Sequence, residues 1–279
     1  PRGDIREETT LAQDMADVQA AKLTDVQAFH KAYYGTTPAQ IAIVGDFDAK
    51  EIQPVLEKTL GTWKSPKPYE RIADKYTATA ASEDKILTPD KQMAFVGAAT
   101  ALELKDSDPD YPAVELFNYV LGQGGDSRLW MRLREKEGLS YGTFSFMQVD
   151  AFDRAGALMA GAMCATENAA KAMGAMSEEL AKLIKEGSTK EELEKAKQAY
   201  VRTFENRLTN DQYVASQLVR GLYRDRTLKY YSDLHAKITA MTPEEFARVA
   251  KKHFAPERFI KVQAGDLGKQ AGAAAPPRS

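Results

Sequence analysis

Apolar and polar residues alternate, or form short apolar runs, in three segments of the second half of the chain. The first segment, Lys85 to Thr100, contains the run QMAFVGAA; the others are Leu139 to Val149 and Ala155 to Ala165, joined by a polar hairpin around Asp150–Arg154. Such patterns are typical of β-strands, because successive side chains of a strand point to opposite faces. We therefore predict strands in all three segments.

Helix-like spacing of apolar residues separates and follows these strands. Ser188 with Glu191 forms a capping-box pattern, Thr166 is a predicted N-cap, and Gly187 stands where a helix should end. The pattern predicts helices over residues 110–121, 127–137, 166–185, 188–208, 210–224 and 229–240. Because strands and helices come in mixed runs and not in strict βα alternation, we predict an α+β fold, a mostly antiparallel sheet with helices packed on one face.

A weak internal repeat relates two segments, Leu23–Phe47 (LTDVQAFHKAYYGTTPAQIAIVGDF) and Met241–Leu267 (MTPEEFARVAKKHFAPERFIKVQAGDL). Each copy opens with a capping-box pattern, at Thr24–Gln27 and Thr242–Glu245, continues as a helix, turns at a proline and ends in a β-rich run into Gly-Asp. The copies lie about 220 residues apart. We expect each copy to close one unit; the alternative is chance similarity between two helix–strand pieces.

The repeat predicts how the chain is divided into domains. Residues 1–72 are interpreted as the C-terminal tail of a preceding homologous domain plus a linker, in which Pro66 and Pro68 stiffen an extended connection. Residues 73–268 are predicted to form a complete domain, and the Ala/Pro-rich residues 269–279 a disordered tail. The chain opens at Pro1 in a polar stretch, which we interpret as an internal cut in a longer polypeptide.

The segment 121–146, LGQGGDSRLWMRLREKEGLSYGTFSF, carries the candidate chemistry. Arg134 lies near the predicted helix end, Gly138 is expected to end that helix in a left-handed cap, and Tyr141 follows on the strand. A tight turn brings guanidinium and phenol towards one place, where their hydrogen-bond donors could hold a peptide carbonyl or a developing oxyanion. Alternation places Tyr141 opposite Phe144 and Phe146, which we assign to the helix-packed core. The alternative is a solvated helix arginine and a half-buried strand tyrosine.

The run SRLWMRLREKEGLSYG, residues 127–142, resembles the C-domain signature of the pitrilysin/insulinase-type zinc metallopeptidases, the family that includes the mitochondrial processing peptidase. The GDFD ending of the first repeat copy, the TWKSPKPYERI connector and the AGALMAGAMCATEN passage are similar as well. The resemblance implies a metallopeptidase-type α/β sandwich. It also implies that Arg134 and Tyr141, seven residues apart, complete an active site from the half opposite the zinc.

Metal ligands of that family are missing from this chain. The family binds zinc through an inverted H-x-x-E-H helix, whereas the chain has three histidines, His30, His235 and His253, none with a histidine four residues away. We interpret all three as helix-surface residues. Cys164 is the only cysteine, so it forms no intrachain disulfide and no multi-cysteine cluster. We predict no metal or other cofactor in this chain; the resemblance implies zinc in the parent enzyme's other half.

Composition limits the partners. The chain is 43% hydrophobic and 28% charged, with a formal net charge of -2, which argues against nucleic acid or an anionic membrane as a partner. No apolar run reaches the roughly 20 residues that a membrane helix needs. The resemblance favours a bacterial periplasmic or cytoplasmic location over a mitochondrial one, and the sequence itself leaves the compartment open.

Together these features predict the C-terminal substrate-binding part of a zinc-dependent endopeptidase, inactive alone. Its partners would be a peptide or protein substrate and an N-terminal zinc-bearing half or subunit of the same enzyme. The alternative is a non-catalytic scaffold or partner subunit of the same family. An H-x-x-E-H motif upstream would decide for the enzyme.

Overall fold

The computed structural model describes residues 3–267. The chain divides into two units, Pro1–Ile72 and Ala73–Ser279. The predicted disordered tail, residues 269–279, lies outside the described residues. No helix in the described part of the chain is long and apolar enough to cross a membrane.

Between residues 3 and 72, the first unit consists of three helices and connecting segments without a buried residue. Its helices are α1 (Leu11–Ala20), α2 (Leu23–Tyr33) and α3 (Ala49–Leu60). None of residues 3–72 is buried, and apolar side chains such as Leu11 and Phe29 are exposed. The apolar side chains of this unit are therefore left without a core of their own between residues 3 and 72.

Two local expectations for this unit are wrong. The N-cap of α2 is Lys22, with Asp25 accepting from its backbone N–H, so the helix begins before the predicted cap at Thr24. The run 41–44 forms no strand. An isolated β-rich run finds no backbone partner here, because a strand is stabilised by hydrogen bonds to a neighbour and not by its own sequence. Its counterpart in the second copy of the repeat does pair within a sheet.

A five-stranded sheet is the centre of the second unit. Its strands are β1 (Ser82–Leu87), β2 (Met93–Leu102), β3 (Ser140–Val149), β4 (Gly156–Ala165) and β5 (Ile260–Gly265). The strand order is β1-β5-β2-β4-β3; β1 and β5 are parallel and the other three pairs antiparallel. The mostly antiparallel sheet predicted from the sequence is confirmed, and β3 lies at one edge of it.

The helices of the second unit follow the predicted pattern closely. They are α4 (Tyr111–Gly122), a π-helix (Trp130–Lys136), α5 (Ala169–Glu186), α6 (Lys190–Leu208), α7 (Asp211–Tyr223), α8 (Lys229–Ala240) and α9 (Pro243–His253). Thr242 caps α9 by accepting from the Glu245 N–H, as predicted. The capping box of α6 is formed by Thr189 with Glu192, one residue later than the predicted pair.

Small side chains on one sheet face allow the helices to pack closely. Ala94 and Val96 of β2 and Ala160 and Ala162 of β4 are fully buried beneath α5. Larger residues fill the space between helices, where Phe117 of α4 stacks against two aromatic rings, with centroid distances of 4.0 Å to Phe254 and 6.2 Å to Phe246. The core therefore lies on the helix side of the sheet, as predicted for a one-sided α/β layer.

The faces of β3 are the reverse of the sequence assignment. Ser145 is buried and its hydroxyl donates to the Asn118 carbonyl of α4 over 2.8 Å, whereas Phe144 and Phe146 are 36% and 54% exposed. The reason is the close approach of α4: a Cβ on Gly122 would lie 2.5 Å from the Ser145 nitrogen. A phenylalanine does not fit where glycine and serine backbones touch, so the aromatic residues occupy the open face.

The sequence analysis places His253 on a helix surface, and this prediction is wrong. Its ring is 9% exposed, and its Nε2 lies 2.9 Å from Asp110, which also binds Lys252 at 2.5 Å and Arg248 at 3.1 Å. Burial by itself would raise the pKa of Asp110, but hydrogen bonds from Lys252, His253 and Arg248 outweigh it and hold that pKa well below the usual range. This cluster joins the start of α4 to the end of α9.

The Asp110 cluster predicts a stability loss that depends on pH. A depressed folded-state pKa contributes stability above the ordinary value of 3.8 and loses it as the pH falls below that value. Asp110→Asn should lower the free energy of unfolding at pH 7 by about 2 kcal/mol. In urea titrations at decreasing pH, this deficit should begin to shrink below the ordinary pKa of 3.8 and disappear only as the pH falls through the depressed folded-state pKa of Asp110. Asp233→Asn, which removes an exposed ion pair with Lys229, is the control and should change stability by less than about 0.5 kcal/mol. A constant Asp110→Asn deficit at every pH would contradict the ionic origin.

The connection between the units predicts a proteolytic boundary. Residues 63–81 carry no helix or strand and contain several exposed lysines and arginines. Brief trypsin treatment should therefore cut near Lys64–Arg71 and leave a stable fragment from about residue 73 to 268, identified by mass spectrometry. A first cut within 139–165 would instead show that β3 and β4 are not part of a stable domain.

Candidate functional site

The helix that carries Arg134 is a π-helix. The sequence predicts an ordinary helix over 127–137, but residues 130–136 follow a π pattern, in which the Glu137 N–H donates to the Arg132 carbonyl over 3.1 Å. The preceding loop is closed by Gly124, whose φ of +83° suits glycine, and by the Ser127 hydroxyl, which donates to the Gly124 carbonyl. Wider π turns occur often at functional sites and alter which side chains share a face.

Gly138 ends this helix as predicted. Its φ is +61°, the left-handed conformation of a glycine cap, and the next N–H, of Leu139, donates to the Leu133 carbonyl over 2.7 Å. Leu133 is fully buried and Leu139 nearly so, which fixes both sides of the turn. The chain then enters β3 at Ser140, and Arg134 and Tyr141 come to opposite ends of one tight reversal.

Arg134 is held in a defined orientation and still reached by solvent. Its guanidinium lies 4.2 Å from the centroid of the Trp130 ring, and its Nη1 donates to the Tyr141 carbonyl over 3.1 Å. Its side chain is 45% exposed. The sequence analysis missed Trp130, although a tryptophan four residues before an arginine on a helix is the signal for such stacking.

Tyr141 stands at an irregularity of the edge strand. Ser140 pairs with Cys164 and Gly142 with Met163, so Tyr141 is the extra residue of a β-bulge. Its side chain is 62% exposed. The predicted pair is therefore brought together, but through the Tyr141 main-chain carbonyl; the phenol makes no hydrogen bond to another residue between 3 and 267.

Two arginines tie the π-helix to the helical layer. Arg132 donates to carboxylates of Glu178 and Glu179 on α5 and of Glu137 at the helix end. Arg128 forms a two-bond pair with Glu192 of α6 at 2.8 and 2.9 Å. Bidentate and multiple ion pairs of this kind restrict orientation. These ion pairs hold the π-helix against α5 and α6, and Arg134 takes no part in them.

The open face of the sheet is apolar near this pair. Phe144 and Phe146 of β3, Phe95 of β2 and Met159 and Met163 of β4 lie on it, and the Phe95 and Phe144 rings are 6.4 Å apart. The rings rest on glycine: a Cβ on Gly161 would lie 2.6 Å from the Phe144 ring. The sequence analysis missed this apolar face. The pattern that could have indicated it is a glycine paired with a phenylalanine on the neighbouring strand, as Gly161 is with Phe144.

The histidines do not form a metal site. His253 is bound to Asp110, His30 stacks on Tyr34 with centroids 4.8 Å apart, and His235 lies on α8 near Phe204. Among residues 3–267 no group of three or more His, Cys, Asp or Glu side chains could hold a metal ion. The described residues therefore do not fit the three converging protein ligands of a zinc site. Cys164 is buried, and burial raises the pKa of its thiol to about 11.

Comparison with known proteins identifies the family. The family described as the peptidase M16 inactive domain matches residues 20–200, which is more than half of the chain. The chain therefore belongs to the peptidase M16 inactive-domain family. This confirms the pitrilysin/insulinase-type resemblance of the sequence.

A solved structure and two curated proteins are similar to this chain. A peptidase M16 inactive domain from Pseudomonas fluorescens is 25% identical with a TM-score of 0.77, covering 90% of this chain and 58% of that one. The non-peptidase homolog YmxG of Helicobacter pylori is 27% identical over 64% of this chain and 41% of its own length. The probable inactive metalloprotease YmfF of Bacillus subtilis is 22% identical over 86% of this chain and 54% of its own length. The chain thus spans about half the length of the curated relatives it matches.

The scattered histidines predict how the chain behaves towards zinc. We expect the purified chain, after dialysis against buffer, to contain much less than one zinc per molecule by plasma emission analysis, because no three described ligands converge. A simultaneous His30→Gln, His235→Gln and His253→Gln variant is the control. One tightly held zinc per wild-type chain that this variant loses would overturn the prediction.

Proposed function

We propose that this chain is the C-terminal substrate-binding part of a zinc-dependent endopeptidase. In this proposal it supplies Arg134 and Tyr141 to an active site whose zinc lies in another domain or subunit, and it is inactive alone. The observation that carries the proposal is the contact between the two residues: an arginine oriented by Trp130 and by the Tyr141 carbonyl, beside a phenol that is 62% exposed.

The chemistry of the pair suits recognition of a peptide backbone. A guanidinium has five N–H donors in a fixed plane, and only Nη1 of Arg134 bonds the Tyr141 carbonyl. Other donors can therefore bind a substrate carbonyl. The Tyr141 hydroxyl can donate to the oxyanion that develops as a peptide bond is attacked, where one such donor contributes substantially to the rate. Neither group is buried, so neither is needed to satisfy the domain's own core.

The edge position of β3 supports the same role. An extended peptide can add to an unpaired strand edge through main-chain hydrogen bonds, which gives affinity with loose sequence selectivity. The bulge at Tyr141 lies on this edge strand. The apolar face that carries Phe144 and Phe146 is adjacent to the bulge and would accept apolar substrate side chains.

We also propose that residues 1–72 are the tail of a preceding homologous domain. The absence of buried residues between 3 and 72 supports this, because a self-sufficient domain needs a core. The repeat supports it too: Gly45 and Gly265, at equivalent positions of the two copies, have φ values of +149° and +159°. In the second copy the run before Gly265 is β5, in the middle of the sheet.

A second candidate is a non-catalytic scaffold or partner subunit of the same family. The names of two relatives, a non-peptidase homolog and a probable inactive metalloprotease, favour it. The residues upstream of this chain in the full-length gene product discriminate between the two. An H-x-x-E-H motif there supports the enzyme, and its absence supports a subunit that acts beside a zinc-bearing partner or not at all.

Substitutions of the pair test the enzymatic role in the full-length protein. Tyr141→Phe removes one hydroxyl and should lower kcat/KM for a fluorogenic peptide by about 10²-fold or more, the scale of losing one oxyanion donor. Arg134→Ala should weaken both substrate binding and turnover. Zinc content and melting temperature should stay at the wild-type level in both variants.

Tyr223→Phe is the matched control, because Tyr223 is another exposed tyrosine, on α7. It should leave kcat/KM unchanged. Full activity of Tyr141→Phe at unchanged stability would reject a transition-state role. Loss of the folded state in that variant would show that Tyr141 serves packing.

A further inference from the structure

The helical layer of the second unit contains a polar cavity that is partly open to solvent. Helices α4, α6, α7 and α8 surround a space of about 170 Å³. Six tyrosines line it: Tyr111, Tyr119, Tyr200, Tyr213, Tyr230 and Tyr231. Neither Arg134 nor Tyr141 is part of its wall, so the cavity is distinct from the proposed peptide-binding pair.

One carboxylate of the cavity wall is already neutralised. Asp106 accepts two hydrogen bonds from Arg226, at 2.6 and 2.7 Å, and Arg226 also lies 4.2 Å from the centroid of the Tyr230 ring. The Tyr230 hydroxyl donates to the Asp106 main-chain carbonyl over 3.0 Å. These contacts account for the charge of Asp106 without a ligand.

A second carboxylate, that of Glu115, has no such partner. Within residues 3–267 no lysine, arginine or histidine lies at ion-pair distance from it, although Glu115 lines the cavity. Desolvation raises the pKa of Glu115 to about 7, and a hydrogen bond from Tyr111 and the more distant charge of Arg207 only partly oppose this rise. A desolvated carboxylate is stabilised by a cation in contact with it.

The same cavity contains an unpaired positive charge. Arg207 of α6 lines it, is exposed at the outer side, and has its guanidinium carbon 5.9 Å from the centroid of the Tyr213 ring. In the described part of the chain no carboxylate lies at ion-pair distance from Arg207. Ionised Glu115 and Arg207 therefore present opposite charges to one cavity without forming an ion pair with each other.

We propose that this cavity binds a small zwitterion of the amino-acid class. Its ammonium group lies against Glu115, where tyrosine rings add cation–π attraction and tyrosine hydroxyls accept hydrogen bonds. Its carboxylate pairs with Arg207 at the outer side. The volume is sufficient, since a protein cavity of about 150 Å³ accommodates a molecule as large as benzene. A ligand with only one of the two charges leaves the other wall charge unpaired.

Matched ligands test the proposal on the full chain by isothermal titration calorimetry. Leucine carries both charges, 3-methylbutylamine lacks the carboxylate, and 4-methylpentanoate lacks the amine. We expect leucine to bind at one site per chain. Each single-charge analogue should bind at least about tenfold more weakly, the scale of losing one charged hydrogen-bonded pair.

Variants assign the binding to this cavity. Glu115→Gln keeps the size of the side chain and should abolish binding, and Arg207→Gln should weaken it at least about tenfold. Glu205→Gln, which changes an exposed carboxylate of α6 outside the cavity wall, should bind as the wild type does. Because Arg207 is exposed, Arg207→Gln should keep the fold. It therefore tests the proposal even if Glu115→Gln lowers the melting temperature of the protein. Saturation by no amino acid, wild-type affinity in Arg207→Gln, or equal affinity for amine and amino acid would each overturn the proposal.

Discussion

The close approach of α4 to β3 is the contact on which the arrangement of the second unit depends. Gly122 lies so near the Ser145 backbone that any side chain there would overlap it, and the Ser145 hydroxyl binds the Asn118 carbonyl. This contact decides which face of β3 is covered. Because the other face is covered, Phe144 and Phe146 lie on the open face. The same contact fixes the end of α4, from which the glycine loop leads into the π-helix.

The candidate site combines a rigid support with exposed donors. Arg128 and Arg132 anchor the π-helix to α5 and α6 through carboxylates, while Arg134, on the same short helix, stacks on Trp130 and binds the Tyr141 carbonyl. A group held in this way loses little further conformational freedom when it binds a ligand. Preorganisation of this kind is what a substrate-orienting residue requires, and it distinguishes Arg134 from an unconstrained surface arginine.

Polar chemistry occurs at two places in the unit, and the two differ in kind. At the edge strand, Arg134 and Tyr141 are exposed, and we propose that an extended peptide binds there. In the helical layer, Glu115 and Arg207 line a partly open cavity, for which we propose a small zwitterion as the ligand. The chain belongs to a family of inactive M16 domains and spans about half of its curated relatives. Peptide hydrolysis is therefore a property to seek in the complete protein.

The sequence by itself determined most helices and strands of the second unit, the glycine cap at Gly138, the Arg134–Tyr141 spacing and the family resemblance, because periodicity, caps and motifs are local. Only the tertiary structure decided which face of β3 is covered, since that depends on Gly122 meeting Ser145. It also placed His253 against Asp110, far away in sequence, and left Glu115 without a cation in a cavity built by four helices. Such features depend on contacts between distant segments, and no local pattern records which segments will meet.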